Sequence, residues 1–289
     1  MINFLKYTWL YILISGTVIG VGLFSIFKWG YIFSIDFVGG TNIDYRFEKN
    51  INEREIRNIF LVNKVEVIDL VASGKELLVR MKTINETTEN RLMQGLEKEF
   101  GKVTILKSET VGPTLGQETV TKTIIASILG IVGILLYMSY AFKGFSSALS
   151  AVLAAIHDIL VVFGSYSLIS HFFGAQMDVL FVTAVLTSMS FSVHDTIVVF
   201  DKIREYKNEE GGTVEYFANK ALTETMVRSL NNSMTIIFML LALVFLGGST
   251  IKFFAVTLLI GTITGTYSSP FIATPIFVWL EKRKKKISM

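Results

Sequence analysis

The chain has 289 residues, of which 51% are hydrophobic and 18% charged, with a mean hydropathy of +0.54. A soluble globular domain carries about 25% charged residues, so this composition excludes a disordered chain and argues against an ordinary soluble enzyme. The formal net charge is only +3, and the chain contains no cysteine, which excludes disulfides, thiolate metal ligands and cysteine nucleophiles.

The apolar residues come in blocks, and a run of about twenty reads as a membrane span. The first block, Tyr7 to Trp29, is long for a signal-peptide core and no A-x-A-like site follows it, so it reads as a retained transmembrane helix. Five more spans follow a polar stretch, at Ile124–Phe142, Ala148–Ser170, Val179–Phe200, Ser229–Leu246 and Phe253–Leu280. Orientation follows from basic residues in short flanks. Lys6, Lys143, Lys202, Arg204, Lys207, Lys220, Arg228 and the terminal run Lys282 to Lys286 fall on one side, and only Lys252 sits in the short loops opposite. Both termini are therefore expected inside, with the polar stretch outside and the basic tail as a topology anchor.

Between helices one and two the pattern changes to βαββαβ. Asn42–Phe47 alternates as a half-buried strand does. Asn52 is placed to cap a helix over Glu53–Val62, with Glu53 and Glu55 in its first turn. Val65–Val71 and Leu77–Met81 flank a Ser73-Gly74-Lys75 turn. Thr88–Phe100 has helical spacing and is stopped by Gly101, and Val103–Leu106 closes the set. This is the order of a small α+β ferredoxin-like unit. It holds no catalytic constellation and no phosphate loop, which points to a module that contacts a partner or substrate rather than to an enzyme. The division expected is 1–30 for the first helix, 31–120 for the extracytoplasmic domain and 121–289 for five helices and a basic tail.

Ionisable residues inside spans carry the functional signal, since each costs about 2.5–3.5 kcal/mol at a span's centre. Helix three has His157-Asp158 and helix four has His194-Asp195. Ser188, Ser192 and Asp195 fall on one face at i, i+4 and i+7, with Thr196 beside them, and such a stripe needs a protein neighbour or a wet cavity. Arg228 is expected to open helix five on the same side as Asp195. An Arg that moves could switch that carboxylate between holding and releasing a proton; a static ion pair and an Arg snorkelling to headgroups remain open alternatives. Asp158 is the second relay candidate, and His157 a residue that bonds a neighbouring helix. Side chains of adjacent helical residues point about 100° apart, so neither His-Asp pair chelates a metal by itself. An intramembrane aspartyl protease would use two facing aspartates, but no Gly-x-Gly-Asp setting surrounds either one. Asp201, Lys202, Arg204 and Glu205 read as a solvated helix end, and Asp178 as a cap. Gly16, Gly20, Gly22, Gly261 and Gly265 offer small-xxx-small contacts, and Pro270 and Pro275 should kink the last helix.

These residues also carry a family pattern. Asp36-Phe37-Val38-Gly39-Gly40 resembles the D-F-x-G-G signature of the bacterial SecD/SecF protein-export family, and Val111-Gly112-Pro113 with Gly116 and Glu118 resembles the approach to its second helix. The run Ser192 to Glu205 is similar to the fourth-helix motif of the family's SecF branch, and Gly247-Gly248 and Gly265 to Ser269 to its last two helices. His194 stands where the family usually has Asn, Ser190-Phe191-Ser192 where it has Gly-Tyr-Ser, and Pro270 where an aliphatic residue is usual. The resemblance implies a multi-pass protein of the bacterial cytoplasmic membrane, related to the resistance-nodulation-division transporters. It would work with a SecD-type subunit beside the SecYEG channel, using the proton-motive force to promote preprotein translocation, with no cofactor, metal, enzymatic activity or nucleic-acid partner. The proton-coupling Asp maps onto Asp195 and its essential Arg onto Arg228; His194 is a possible further carrier. Asp36, Gly39 and Gly40 would form the joint between helix one and the outer domain. The alternatives from other classes are a proton-coupled transporter of a small solute and a purely structural scaffold.

Overall fold

A computed structural model describes residues 2–142, 144–209 and 211–287, with the side chains of Ser73, Ser249, Thr250, Lys285, Lys286 and Ile287 left aside. Lys143 and the side chains of Lys285 and Lys286, which entered the orientation reading, lie outside the described residues. The chain divides into two compact units, one of residues 33–124 and one of residues 1–32 with 125–289.

In the first unit a one-turn helix α2 (Ile35–Val38) leads into strand β1 (Gly40–Phe47), then helix α3 (Glu53–Val62), strands β2 (Val67–Ser73) and β3 (Glu76–Met81), helix α4 (Glu86–Phe100) and strand β4 (Val103–Val111). The strands form one antiparallel sheet in the order β2-β3-β1-β4. Local chemistry sets the element ends. The Asn52 side chain accepts from Arg54 N at 3.1 Å and the Asn85 side chain from Thr88 N at 3.0 Å, each satisfying an orphan donor of a helix start. Gly101 ends α4 at a φ of +80° and Gly74 turns the hairpin at +61°, conformations open to glycine. The last strand runs to Val111 rather than Leu106, because β1 offers a partner along its whole length up to the Gly40–Val111 pair. Alternate residues Ile43, Tyr45 and Phe47 meet Ile56, Phe60, Leu92, Leu96 and Phe100 from the helices. Each such side chain contributes about 1.5–3 kcal/mol when fully buried.

The second unit is helical. A 3-10 turn (Phe4–Tyr7) precedes α1 (Thr8–Trp29); α5 (Pro113–Ala141) enters from the sheet unit, followed by α6 (Phe145–Phe173), α7 (Val179–Glu209), α8 (Val214–Leu246), α9 (Ser249–Ser268) and α10 (Thr274–Ile287). Among the described residues, six helical stretches are long and apolar enough to cross a membrane, α9 and α10 counting as one. This is a multi-pass membrane protein.

Several helices outrun their apolar runs. Apolarity marks the stretch that crosses lipid, while the helix continues into water as long as charged side chains pair along it. Thus α8 begins at Val214, capped by Thr213, and Arg228 sits well inside it instead of opening it. Likewise α7 continues past Phe200 to Glu209, so Asp201 to Glu205 form an extension whose charges pair, Lys202 with Glu205 at 2.6 Å and Arg204 with Asp201 at 2.9 Å. Asp178 caps α7, accepting from Phe181 N at 2.7 Å.

Small residues set the helix contacts. A Cβ on Gly22 would lie 2.7 Å from Gly164 Cα, so α1 and α6 meet backbone to backbone, and Ser25 and Ser167 bond beside them at 2.8 Å. Gly261 and Gly265 of α9 lie against Ser188 and Ser192 of α7. Gly16 and Gly20 face open space, so the small-residue spacing on α1 is used only at Gly22. At Pro270 the last span changes to a π-helical stretch, Ser269–Ala273, between α9 and α10. Pro275 follows that stretch directly, at the second position of α10.

Candidate functional site

Among the described residues, two carboxylates are buried in the helical unit. Asp195 of α7 is 9% exposed, and its Oδ2 accepts a hydrogen bond from Ser229 Oγ of α8 at 2.6 Å. His194, Asp195, Val198, Arg228, Ser229 and Asn232 line a cavity of about 190 Å³ beside it. Arg228 shares that cavity but is exposed, and among the described residues it makes no ion pair with Asp195. The static ion pair is therefore absent from this conformation, and the carboxylate instead takes the hydroxyl one residue further along α8. His194 is exposed on the cavity's rim.

Asp158 of α6 is 4% exposed and three polar side chains converge on it. Ser268 Oγ, the last residue of α9, donates to Oδ2 at 2.7 Å, and Ser192 Oγ of α7 donates to the same oxygen. His157 Nδ1 lies 2.9 Å from Oδ1. His157 therefore does not bond a neighbouring helix as expected. Adjacent helical side chains diverge at Cβ, but a ring nitrogen reaches back far enough to meet the next carboxylate. Beside this cluster Thr196 Oγ1 and Ser269 Oγ lie 2.8 Å apart, tying α7 to the π-helical stretch.

The polar stripe of α7 thus divides. Ser192 serves Asp158, Thr196 serves Ser269, and Asp195 alone turns to α8. Sequence reasoning missed Ser229 and Ser268. Each carries a local signal, Ser229 following an intramembrane Arg and Ser268-Ser269 preceding Pro270, but only packing shows which carboxylate each meets.

The Asp36–Gly40 motif lies in the sheet unit as a capped turn. Ser34 Oγ accepts from Asp36 N at 3.2 Å, and Gly39 N donates back to Ile35 O at 2.9 Å. Gly39 has a φ of +74°, and a Cβ there would lie 3.0 Å from Pro113 Cα; one on Gly40, φ +138°, would lie 2.8 Å from Met81 O. Both glycines are required by backbone contacts, which makes this a tightly packed turn rather than a loose linker. Among the described residues no group of three His, Asp or Glu side chains is arranged to hold a metal ion.

Comparison with known proteins places this geometry in context. The family model described as protein export membrane protein SecD/SecF, C-terminal, matches residues 92–283. The protein translocase subunit SecF of Anaerolinea thermophila is 35% identical over 199 residues, covering 66% of this chain and 65% of that one. That of Thermobaculum terrenum is 37% identical over 208 residues, covering 66% of each chain. The chain thus spans just under two thirds of these relatives' lengths. The crystal structure of SecDF from Thermus thermophilus, titled a translocon-associated membrane protein, superposes with a TM-score of 0.86 at 30% identity. That match covers 98% of this chain and 39% of SecDF.

Proposed function

The chain belongs to the SecD/SecF family of protein export membrane proteins, on its SecF side, and from that premise we propose that it is a proton-driven subunit of the Sec export machinery. It works with a SecD-type subunit, using the proton-motive force to promote preprotein translocation through SecYEG. The observation that carries this reading is Asp195, a buried carboxylate inside a membrane span that shares a cavity with Arg228, which makes no ion pair among the described residues. Ionised, Asp195 accepts from Ser229 and attracts the Arg228 guanidinium across the cavity; protonated, it loses that attraction, and α7 and α8 are free to shift. One charge moved across the membrane supplies about 2.3 kcal/mol per 100 mV, enough to bias a motion of packed helices. His194, on the cavity rim, is placed to pass protons to Asp195, and Asp158 is a second holding point within the bundle.

The remaining parts of the reading rest on separate supports. The strand order β2-β3-β1-β4 with two crossing helices is that of a ferredoxin-like unit, and the basic flanks favour its lying outside the cytoplasmic membrane with both termini inside. A SecD-type partner is supported by SecDF, in which the matched part is 39% of the chain. The membrane unit acts without enzymatic chemistry, cofactor or metal. Asp36, Gly39 and Gly40 hold the turn through which the first helix delivers movement to the sheet.

The test is export of a secreted reporter in cells whose sole copy carries Asp195→Asn, with membrane level and co-purification of the partner subunit measured alongside. Export falling towards the deletion level in an intact complex is expected. Normal export with Asp195→Asn would overturn the motor reading and leave a structural scaffold.

A further inference from the structure

The Asp158 cluster contains a group that the motor reading does not use. An ionised carboxylate only accepts hydrogen bonds. With Ser192 and Ser268 donating to Oδ2, the remaining contact to Oδ1 is completed when His157 Nδ1 carries its proton. In a neutral imidazole the other nitrogen is then a bare acceptor. That nitrogen, His157 Nε2, is buried and has no hydrogen-bond partner among the described residues. The ring is thus held by a carboxylate on one side and presents an unoccupied lone pair on the other, an arrangement that orients a histidine to take up and release a proton.

We propose that His157 is a second proton-exchanging group of this protein, oriented by Asp158 and distinct from the Asp195–Arg228 cavity. This deepens the motor reading and rests on it for its role in export. A proton arriving at Nε2 makes an imidazolium beside the Asp158 carboxylate, and leaves from the same atom; no other bond changes. The titratable groups on the elements packed against α6 bear on this exchange. On α9, Tyr267 lies with its ring 6.4 Å from that of His157, and its hydroxyl joins Ser15 Oγ at 3.3 Å and Tyr11 O at 3.0 Å on α1. Between Thr8 and Phe27, α1 has no charged residue, and Tyr11 is the titratable group there. On α7 the carboxylate of Asp195 is taken by Ser229, and on α10 Glu281 is paired with Lys207 at 2.8 Å. Asp158 is the carboxyl in contact with His157.

The chain has three histidines, so a full-length sample labelled with 15N-histidine in lipid bilayers gives three ring systems to assign. His157→Gln identifies the relevant signals by their loss. The expected result is a ring protonated at Nδ1 and bare at Nε2 at the alkaline end of a pH series, taking a second proton at Nε2 towards its acidic end. Asp158→Asn should remove the Nδ1 preference while the ring remains visible. A proton fixed on Nε2, or a ring unchanged across the series, would overturn the proposal. In cells, His157→Gln should lower export several-fold and flatten its dependence on external pH; export with the parental pH profile would overturn it as well. Asp195→Asn run in parallel separates the two ideas, because loss of export there with a static His157 ring removes this inference and leaves the motor reading standing.

Discussion

The two units of this chain solve burial in opposite ways. In the sheet unit the interior is mainly Ile, Val, Leu, Phe and Met, with Tyr45, Thr41 and Arg80 buried among them. In the helical unit many of the interior positions are Ser, Thr, Gly and Ala, with Asp158 and His157 among them, while Phe24, Phe27 and Leu136 point away from the protein. Phe27 is 87% exposed, which would be an aggregation hazard in water and is ordinary in lipid. The surrounding solvent explains the inversion. Water drives apolar side chains together, so the sheet unit is held by area buried. Lipid gives no such drive, so the helices are held by close backbone approach and by hydroxyls bonding across interfaces.

That contrast can be broken or sharpened by substitution in the full-length protein. The largest effect should come from the sheet unit's core, where Phe60→Ala removes a fully buried ring and should cost about 3–5 kcal/mol, read as lost amide-exchange protection in that unit. Next comes Gly265→Ala in the helical unit, whose new Cβ would lie 2.8 Å from Ser192 Cβ; overpacking of this kind costs about 1–3 kcal/mol. Thermal unfolding in detergent would show it, and Gly20→Ala, with nothing within 4 Å, should leave the midpoint in place. Smaller still is Ser268→Ala, which removes one donor to Asp158 and should cost about 0.6 kcal/mol and at most about 1.7 kcal/mol. A loss at Ser268 equal to that at Phe60 would show that polar contacts carry the helical unit to a degree the comparison denies.

The smallest effect concerns a charge on the sheet. Burial, the main cause, pushes the Asp44 carboxyl above its ordinary value; Lys107 opposes that, and Glu109 and Glu76 add to it. A carboxyl whose folded value is raised binds its proton more tightly in the folded state, so its contribution favours the fold at low pH and is lost as pH rises from the unfolded value through the folded one. Asp44→Asn should therefore stabilise the sheet unit at neutral pH, by less than about 1 kcal/mol because the group is only partly buried. The gain should shrink as pH is lowered towards 4, which a series of unfolding curves would reveal.

What the sequence made legible also follows the two solvents. Alternation, the Asn52 cap and Gly101 marked the strands and helices of the sheet unit within two residues except at the end of the last strand, since each signal is local. Hydropathy marked the six crossings for the same reason. It could not mark where the helices end, because Lys202 with Glu205 keeps α7 helical in water beyond its apolar run. That is why Arg228 proved internal to α8. Both carboxylates were visible as misplaced charges. Their partners Ser229, Ser192 and Ser268 were not, because choosing among many intramembrane serines depends on which helices touch.

The length of α7 has a mechanical consequence. At 31 residues it is about 46 Å long, against a hydrocarbon slab of about 30 Å, so a substantial end stands clear of the lipid. A stiff rod of that length pivoting by about 10° at its centre swings each tip through about 4 Å. On that protruding end Tyr206 donates to Glu224 of α8, and Lys202 reaches the same carboxylate at 4.0 Å. The two rods are lashed together there like paired oars, so a small displacement beside Asp195 is delivered, enlarged, to whatever touches their tips.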